Sequence, residues 1–119
     1  MSRIATKNAS QALGSGSLTL DLVVGTDTPN VEGNFYLAQV LLAAASAISQ
    51  VVSVTLIGKE GSTYTFLLDT STLSSATTYV FRPTGICIIR RGDTVRLTCA
   101  NSGTPAITVY GLIELERID

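Results

Sequence analysis

Histidine is missing altogether from this 119-residue sequence, and so is tryptophan. The first absence removes the commonest general base near neutral pH and the commonest metal ligand. It also leaves every serine and cysteine without the partner that usually activates a nucleophile, and no G-x-S-x-G elbow is present. The second absence, with aromatics at 6%, weakens any reading based on stacking sugars or bases. Charge is scarce as well: charged residues make up 14% of the chain, against a usual share of about 25%. Eight basic and nine acidic residues give a net charge of −1, so the basic excess that displaces counterions from nucleic acid is lacking. Arg82, Arg90, Arg91 and Arg96 lie close in sequence and read as solvated strand ends. So few charges leave much neutral surface, which suits a subunit covered by neighbours. The two cysteines, Cys87 and Cys99, fit no zinc spacing; they read as small apolar core residues or as a bridged pair, and the compartment stays open.

What is present is a 45% share of hydrophobic residues, enough for one core in one domain. The longest apolar stretch, Phe35 to Ile57, is too interrupted for a membrane helix. Ser46-Ala47-Ile48-Ser49-Gln50 breaks it, and its second half alternates, so two strands joined by a turn account for it. Met1 to Gly16 has no apolar run of the signal-peptide kind. It is rich in Ser, Ala and Gly and ends in Gly14-Ser15-Gly16, which reads as an extended N-terminal arm over 1–16, ahead of a domain over 17–119.

Along that domain the dominant period is two. Leu18, Leu20 and Leu22 alternate with Thr19 and Asp21, which marks a half-buried strand. Gly25 to Asn34 is a loop of turn formers. Phe35 to Ala45 has helix-favouring residues but no helix stop, and reads as a long strand. Gln50 to Ile57 sets Val52, Val54 and Leu56 on one face; Lys59-Glu60-Gly61-Ser62 turns the chain; Thr63 to Asp69 returns with Tyr64, Phe66 and Leu68 on one face. Thr70 to Ala76 reads as a Ser/Thr-rich loop, Thr77 to Arg82 as a strand ended by Pro83, and Gly85 to Ile89 as a short strand. Thr94 to Ala100 aligns Val95, Leu97 and Cys99. Ala106 to Glu116 turns Ile107, Val109, Ile113 and Leu115 inward, with Gly111 marking a bulge or close packing. About eight strands without a helix predict an all-β antiparallel sandwich, jelly-roll-like.

Sites for chemistry are few. Glu114 and Glu116 share one face of the final strand and read as its solvated side. Asp21 and Asp69 interrupt apolar strands and read as a wet face and a strand end. Asp27, Asn30 and Glu32 in the loop from Thr26 to Glu32 are calcium-ligand types without diagnostic spacing. Arg91-Gly92-Asp93 spells a tripeptide that integrins recognise, and equally what a hairpin turn wants. Neither Gly14-Ser15-Gly16 nor Gly58 to Gly61 runs into a helix as a phosphate loop does. No catalytic, metal or cofactor residue emerges, and the chain is not expected to be an enzyme.

The run V-S-V-T-L-I-G-K-E-G into S-T-Y-T-F-L-L-D-T, then Y-V-F-R-P, I-C-I-I-R-R-G-D-T-V-R-L-T-C-A-N-S-G-T-P and I-T-V-Y-G-L-I-E-L-E, resembles small jelly-roll or β-sandwich structural proteins of tailed-phage virions. The resemblance covers roughly Gln50 to Glu116 and rests on strand-and-turn cadence. It implies a capsid decoration or minor structural protein, located in the virion and assembled in the host cytoplasm. Such a protein would act as a homo-oligomer that binds copies of itself and a major capsid or other virion protein, with no nucleic-acid or membrane partner. In that setting the arm is the natural tether, and Arg3, Ile4, Lys7 and Leu13 are its expected partner-binding residues. The alternative is a carbohydrate- or receptor-binding sandwich on a tail or collar, in which Tyr64, Tyr79 and Tyr110 could stack.

Overall fold

A computed structural model describes residues 4–14, 16–27, 35–100 and 107–117. Its strands are β1 (Ile4–Ala12), β2 (Leu18–Val23), β3 (Phe35–Ile48), β4 (Val51–Ile57), β5 (Thr65–Thr72), β6 (Ala76–Phe81), β7 (Ile88–Ile89), β8 (Thr94–Cys99) and β9 (Thr108–Arg117). A single 3₁₀ turn, Ser62–Tyr64, precedes β5. The pairing follows a simple rule. β1 pairs with β9, β2 with β8, β3 with β6 and β4 with β5, all antiparallel. These are the nested rungs of one long hairpin whose tip is the turn after Ile57. Rolling that hairpin gives two sheets, ordered β1-β9-β3-β6 and β2-β8-β4-β5, with β7 alongside the start of β3. This is the strand order of a jelly roll, a sandwich of two antiparallel sheets.

Alternation places the core between the sheets. Leu18, Leu20 and Leu22 of β2, Val52 and Val54 of β4, and Val95, Leu97 and Cys99 of β8 are buried. They face Phe35, Leu37, Val40 and Leu42 of β3 and Val109, Ile113 and Leu115 of β9. Burial of each such side chain stabilises the fold by about 1.5–3 kcal/mol. The spacing of three between Leu37 and Val40 has a cause: the register of β3 against β9 shifts between Leu37 and Gln39. A bulge there inserts one residue and keeps the buried face continuous. Gly111 lies in regular register with both β1 and β3, so close packing, not a bulge, explains it. Both cysteines are free. Cys99 belongs to the core, and burial pushes both thiols up.

The segment expected to be an arm is revised by the pairing of β1. Ile4–Ala12 runs along β9 of its own sheet, residue against residue from Ile4–Glu116 to Ala12–Thr108. Its inward positions are Ala5, Lys7 and Ala9, and the small ones carry little hydropathy signal although Ala5 is buried. Leu13, just beyond, is fully buried in this chain's own core. Lys7 donates to Asp27 at 3.1 Å and ties β1 to the turn after β2. The backbone of Ile4 pairs with Glu116; the side chain of Ile4 and all of Arg3 lie outside the described residues.

Asp27 also accepts the Val23 N–H at 2.8 Å. That backbone donor, helped by Lys7 and opposed by partial burial, holds its carboxyl below the ordinary value of 3.8. A folded-state value below the unfolded one means the stabilisation is present at neutral pH. It is lost as pH falls past the ordinary value through the depressed one. We therefore expect Asp27→Asn to cost about 1 kcal/mol at neutral pH. In denaturant titrations the gap to the wild type should narrow steadily as pH falls below 3.8; a gap that stayed constant there would contradict the assignment.

Candidate interaction surface

The two long sides of the sandwich are finished differently. On one side β1 leads directly into β2 and Lys7 reaches Asp27. On the other, β5 is the edge of one sheet and β6 the edge of the other. Pro83 follows β6 and cannot donate to a ladder. The chain then makes an excursion over 82–87 before β7 rejoins the start of β3 at Ile88–Tyr36 and Ile89–Phe35. The gap between β5 and this second lip is bridged by the Tyr79 hydroxyl, which donates to Asp69 Oδ2.

Apolar side chains gather at this open side. Tyr64 is 51% exposed, Phe66 56%, Ile86 76% and Ile88 39%. Tyr64, Phe66 and Ile88 line a hollow of about 260 Å³ near the hairpin tip, flanked by Glu60 and Arg90. Leu68 and Phe81 line a second, of about 290 Å³, with Ile86 and Cys87. The alternation sets Tyr64, Phe66 and Leu68 on one face, and they do share the open side. A jelly roll closed here would bury them; the excursion over 82–87 leaves the opposing lip without a strand to cover them. The sequence signal for this exposure is Arg82-Pro83-Thr84-Gly85, which ends β6 before it can run the length of β5.

A third concavity, of about 640 Å³, lies on the outer face of the β1-β9-β3-β6 sheet. Leu41, Val80, Tyr110 and Leu112 form its floor, with Asn8, Ser10 and Thr78 around them. The outer face of the opposite sheet mixes polar side chains with Leu67, which pairs with Thr55 and is 61% exposed. Arg96 there makes a two-pronged contact with Asp21, at 2.7 and 2.9 Å, and Ser53 bonds Thr70 at 3.1 Å.

The chemistry-bearing residues singled out in the sequence do not converge. Arg82 donates to Gln39 on one sheet while Arg96 holds Asp21 on the other. Glu114 and Glu116 do point outward, but β9 is a central strand between β1 and β3, and the Tyr36 hydroxyl donates to Glu116. Of the proposed calcium-loop residues, Asn30 and Glu32 lie outside the described residues. Among the described residues no cluster of acidic and sulfur ligands could hold a metal. Tyr64 is at the open side, Tyr79 is buried in β6, and Tyr110 is on the outer face.

The tripeptide Arg91-Gly92-Asp93 has a structural role. Asp93 Oδ2 accepts the Arg90 N–H at 2.9 Å and Oδ1 accepts the Lys59 N–H at 3.1 Å. One carboxylate thus fastens its own turn to the hairpin tip. Gly92 has a φ of 90°, a conformation that glycine reaches without a steric penalty, and a Cβ there would stand 2.7 Å from Lys59 Cβ. Asp93→Ala is expected to lower stability by about 1 kcal/mol, given the exposure of both bonds. A thermal melt unchanged by that substitution would show that the two bonds contribute nothing.

No protein-family model matches this chain, and no curated protein matches it.

Proposed function

We propose that this chain is a non-catalytic structural subunit of a virion, a decoration or stabilising protein. In this reading it works by binding copies of itself and a neighbouring virion subunit. The observation that carries the reading is the open side of the sandwich, where Tyr64, Phe66, Ile86 and Ile88 stay exposed together. Contiguous exposed apolar surface on a small protein marks a place of association. Three further features support it: a charged share of 14%, the jelly-roll strand order, and the resemblance of Gln50 to Glu116 to tailed-phage structural proteins. Jelly rolls serve as capsid and as lectin domains alike, and fold alone does not choose between them. The aromatic placement favours the first. Of the three tyrosines, Tyr79 is buried and Tyr110 lies on the outer face, so among the described residues Tyr64 has only Phe66 as an exposed ring beside it, and the sequence has no tryptophan to widen that platform.

Attachment in this reading runs through the open side and not through an N-terminal tether, because β1 is held by β9. The test is the mass of the purified full chain in solution, by sedimentation velocity from micromolar to sub-millimolar concentration. Reversible self-association is expected. A monomer at every concentration, joined by a signal on a glycan array, would replace this reading with the carbohydrate-binding one.

A further inference from the structure

We infer that the open side between β5 and the β6–β7 connection is the self-association surface, and that its occupant is the same side of a second copy. The inference rests on the association reading above and assigns it a place. Two lips define the surface. Tyr64, Phe66 and Leu68 form the β5 lip; Phe81, Ile86 and Ile88 form the other.

Area is the first argument. An aromatic residue presents about 150–250 Å² when fully exposed, so Tyr64, Phe66, Ile86 and Ile88 at their fractional exposures offer roughly 400 Å² per protomer. Two facing surfaces of that size, about 800 Å² together, fit a weak and reversible contact, below the roughly 1,200 Å² of a tight interface. Charge is the second. The lip residues themselves are apolar, and the charges beside them are of both signs, with Lys59, Glu60, Arg90 and Asp93 at one hollow and Arg82 at the other. A two-fold axis along the opening lays the β5 lip of one copy on the β6–β7 lip of the next, an isologous contact. That axis brings exposed Glu60 of one copy toward exposed Arg90 of the other, and both residues border the same hollow. A net charge of −1 gives little repulsion between copies.

The mode of contact follows from β5 itself. Its register against β4 shifts between Val54 and Thr55, which leaves Leu68 as an inserted residue. Such a bulge bends an edge strand away from straight pairing with another chain. Side-chain packing of lip on lip, not extension of the ladder, therefore joins the copies.

The experiment compares the wild type with Ile86→Asp, Phe66→Lys and Tyr110→Asp by sedimentation across the same concentration range. Circular dichroism confirms that each variant folds. Ile86 is exposed on a connection, so its variant keeps the fold; Tyr110 is equally accessible but lies on the distant outer face. The expected result is a dimer whose Kd rises by roughly tenfold or more in Ile86→Asp and Phe66→Lys and stays within about twofold in Tyr110→Asp. Self-association untouched by Ile86→Asp and Phe66→Lys would overturn the inference and leave the association reading standing. A wild type that never associates would overturn both.

Discussion

Gly111→Val is expected to lower the unfolding free energy by more than about 3 kcal/mol and to melt at least about 10 °C below the wild type. Gly111 faces inward from β9 between Ala9 and Leu42. A Cβ at this position would stand 2.8 Å from Leu97 Cδ2, 3.1 Å from Leu18 Cδ2 and 3.5 Å from Leu20 Cδ2. All three leucines come from the opposite sheet and are themselves buried, so none can swing out to solvent. Overpacking of this kind costs about 1–3 kcal/mol for a modest excess, the range expected for Gly111→Ala. Valine adds two more methyl groups at the same point. Against a total stability of about 5–15 kcal/mol the loss is a large share. The control is Leu112→Thr, one residue along and facing outward, which should change the midpoint by much less. If Gly111→Val melted within about 2 °C of the wild type, the close approach of the sheets at this point would be refuted.

Tyr79→Phe should cost about 1.5–3 kcal/mol, the range for a hydrogen bond to a carboxylate away from bulk water. The Tyr79 hydroxyl is the bridge from β6 to Asp69 on β5, so its removal loosens the open side as well as the sheet. Alkali provides an independent check. Burial first, and then the bond to Asp69, raise the phenol above its ordinary value of 10.0. A folded-state value above the unfolded one means the stabilisation is complete below pH 10 and fades as pH rises beyond it. The difference between wild type and Tyr79→Phe in denaturant titrations should therefore narrow in strong alkali. The Tyr36 phenol is also raised, by its bond to Glu116 and partial burial, but it is common to both proteins and cancels in the comparison. A difference that stayed constant or widened with pH would show that the hydroxyl does not bridge the strands.

The parts of this fold that could be read from the sequence are those where large and polar side chains alternate. β2 and β8 follow that rule residue by residue, and both were expected close to where they lie. β3 was harder, because its bulge breaks the period of two after Leu37 and leaves a spacing compatible with a helix. β1 is hidden for another reason: its inward apolar positions are Ala5 and Ala9, and alanine contributes little to a hydropathy pattern. The end of β5 looks like a loop in the sequence because Thr70, Ser71 and Thr72 are turn-prone types. In the sheet, Thr70 instead bonds Ser53 across to β4. Legibility of the surface was poorer. Alternation shows that Tyr64, Phe66 and Leu68 share a side, but not whether anything covers it. That depends on how far β6 extends, which Pro83 decides from a different part of the chain. Leu13, expected to meet a partner, fills the core because β1 brings it there.

The nested pairing has a consequence for synthesis of the protein on the ribosome. β9 lies between β1 and β3, although it is made after both and after the five strands that follow β3. Until Arg117 has left the exit tunnel, the first strand has no neighbour and β3 shows a bare edge along most of its length. The hairpin tip, β4 with β5, can form early from local contacts, and pairing then spreads outward to ever more distant partners, which slows completion. A stalled or shortened chain that lacks β9 would expose two unpaired strands at once, the condition under which nascent β proteins aggregate.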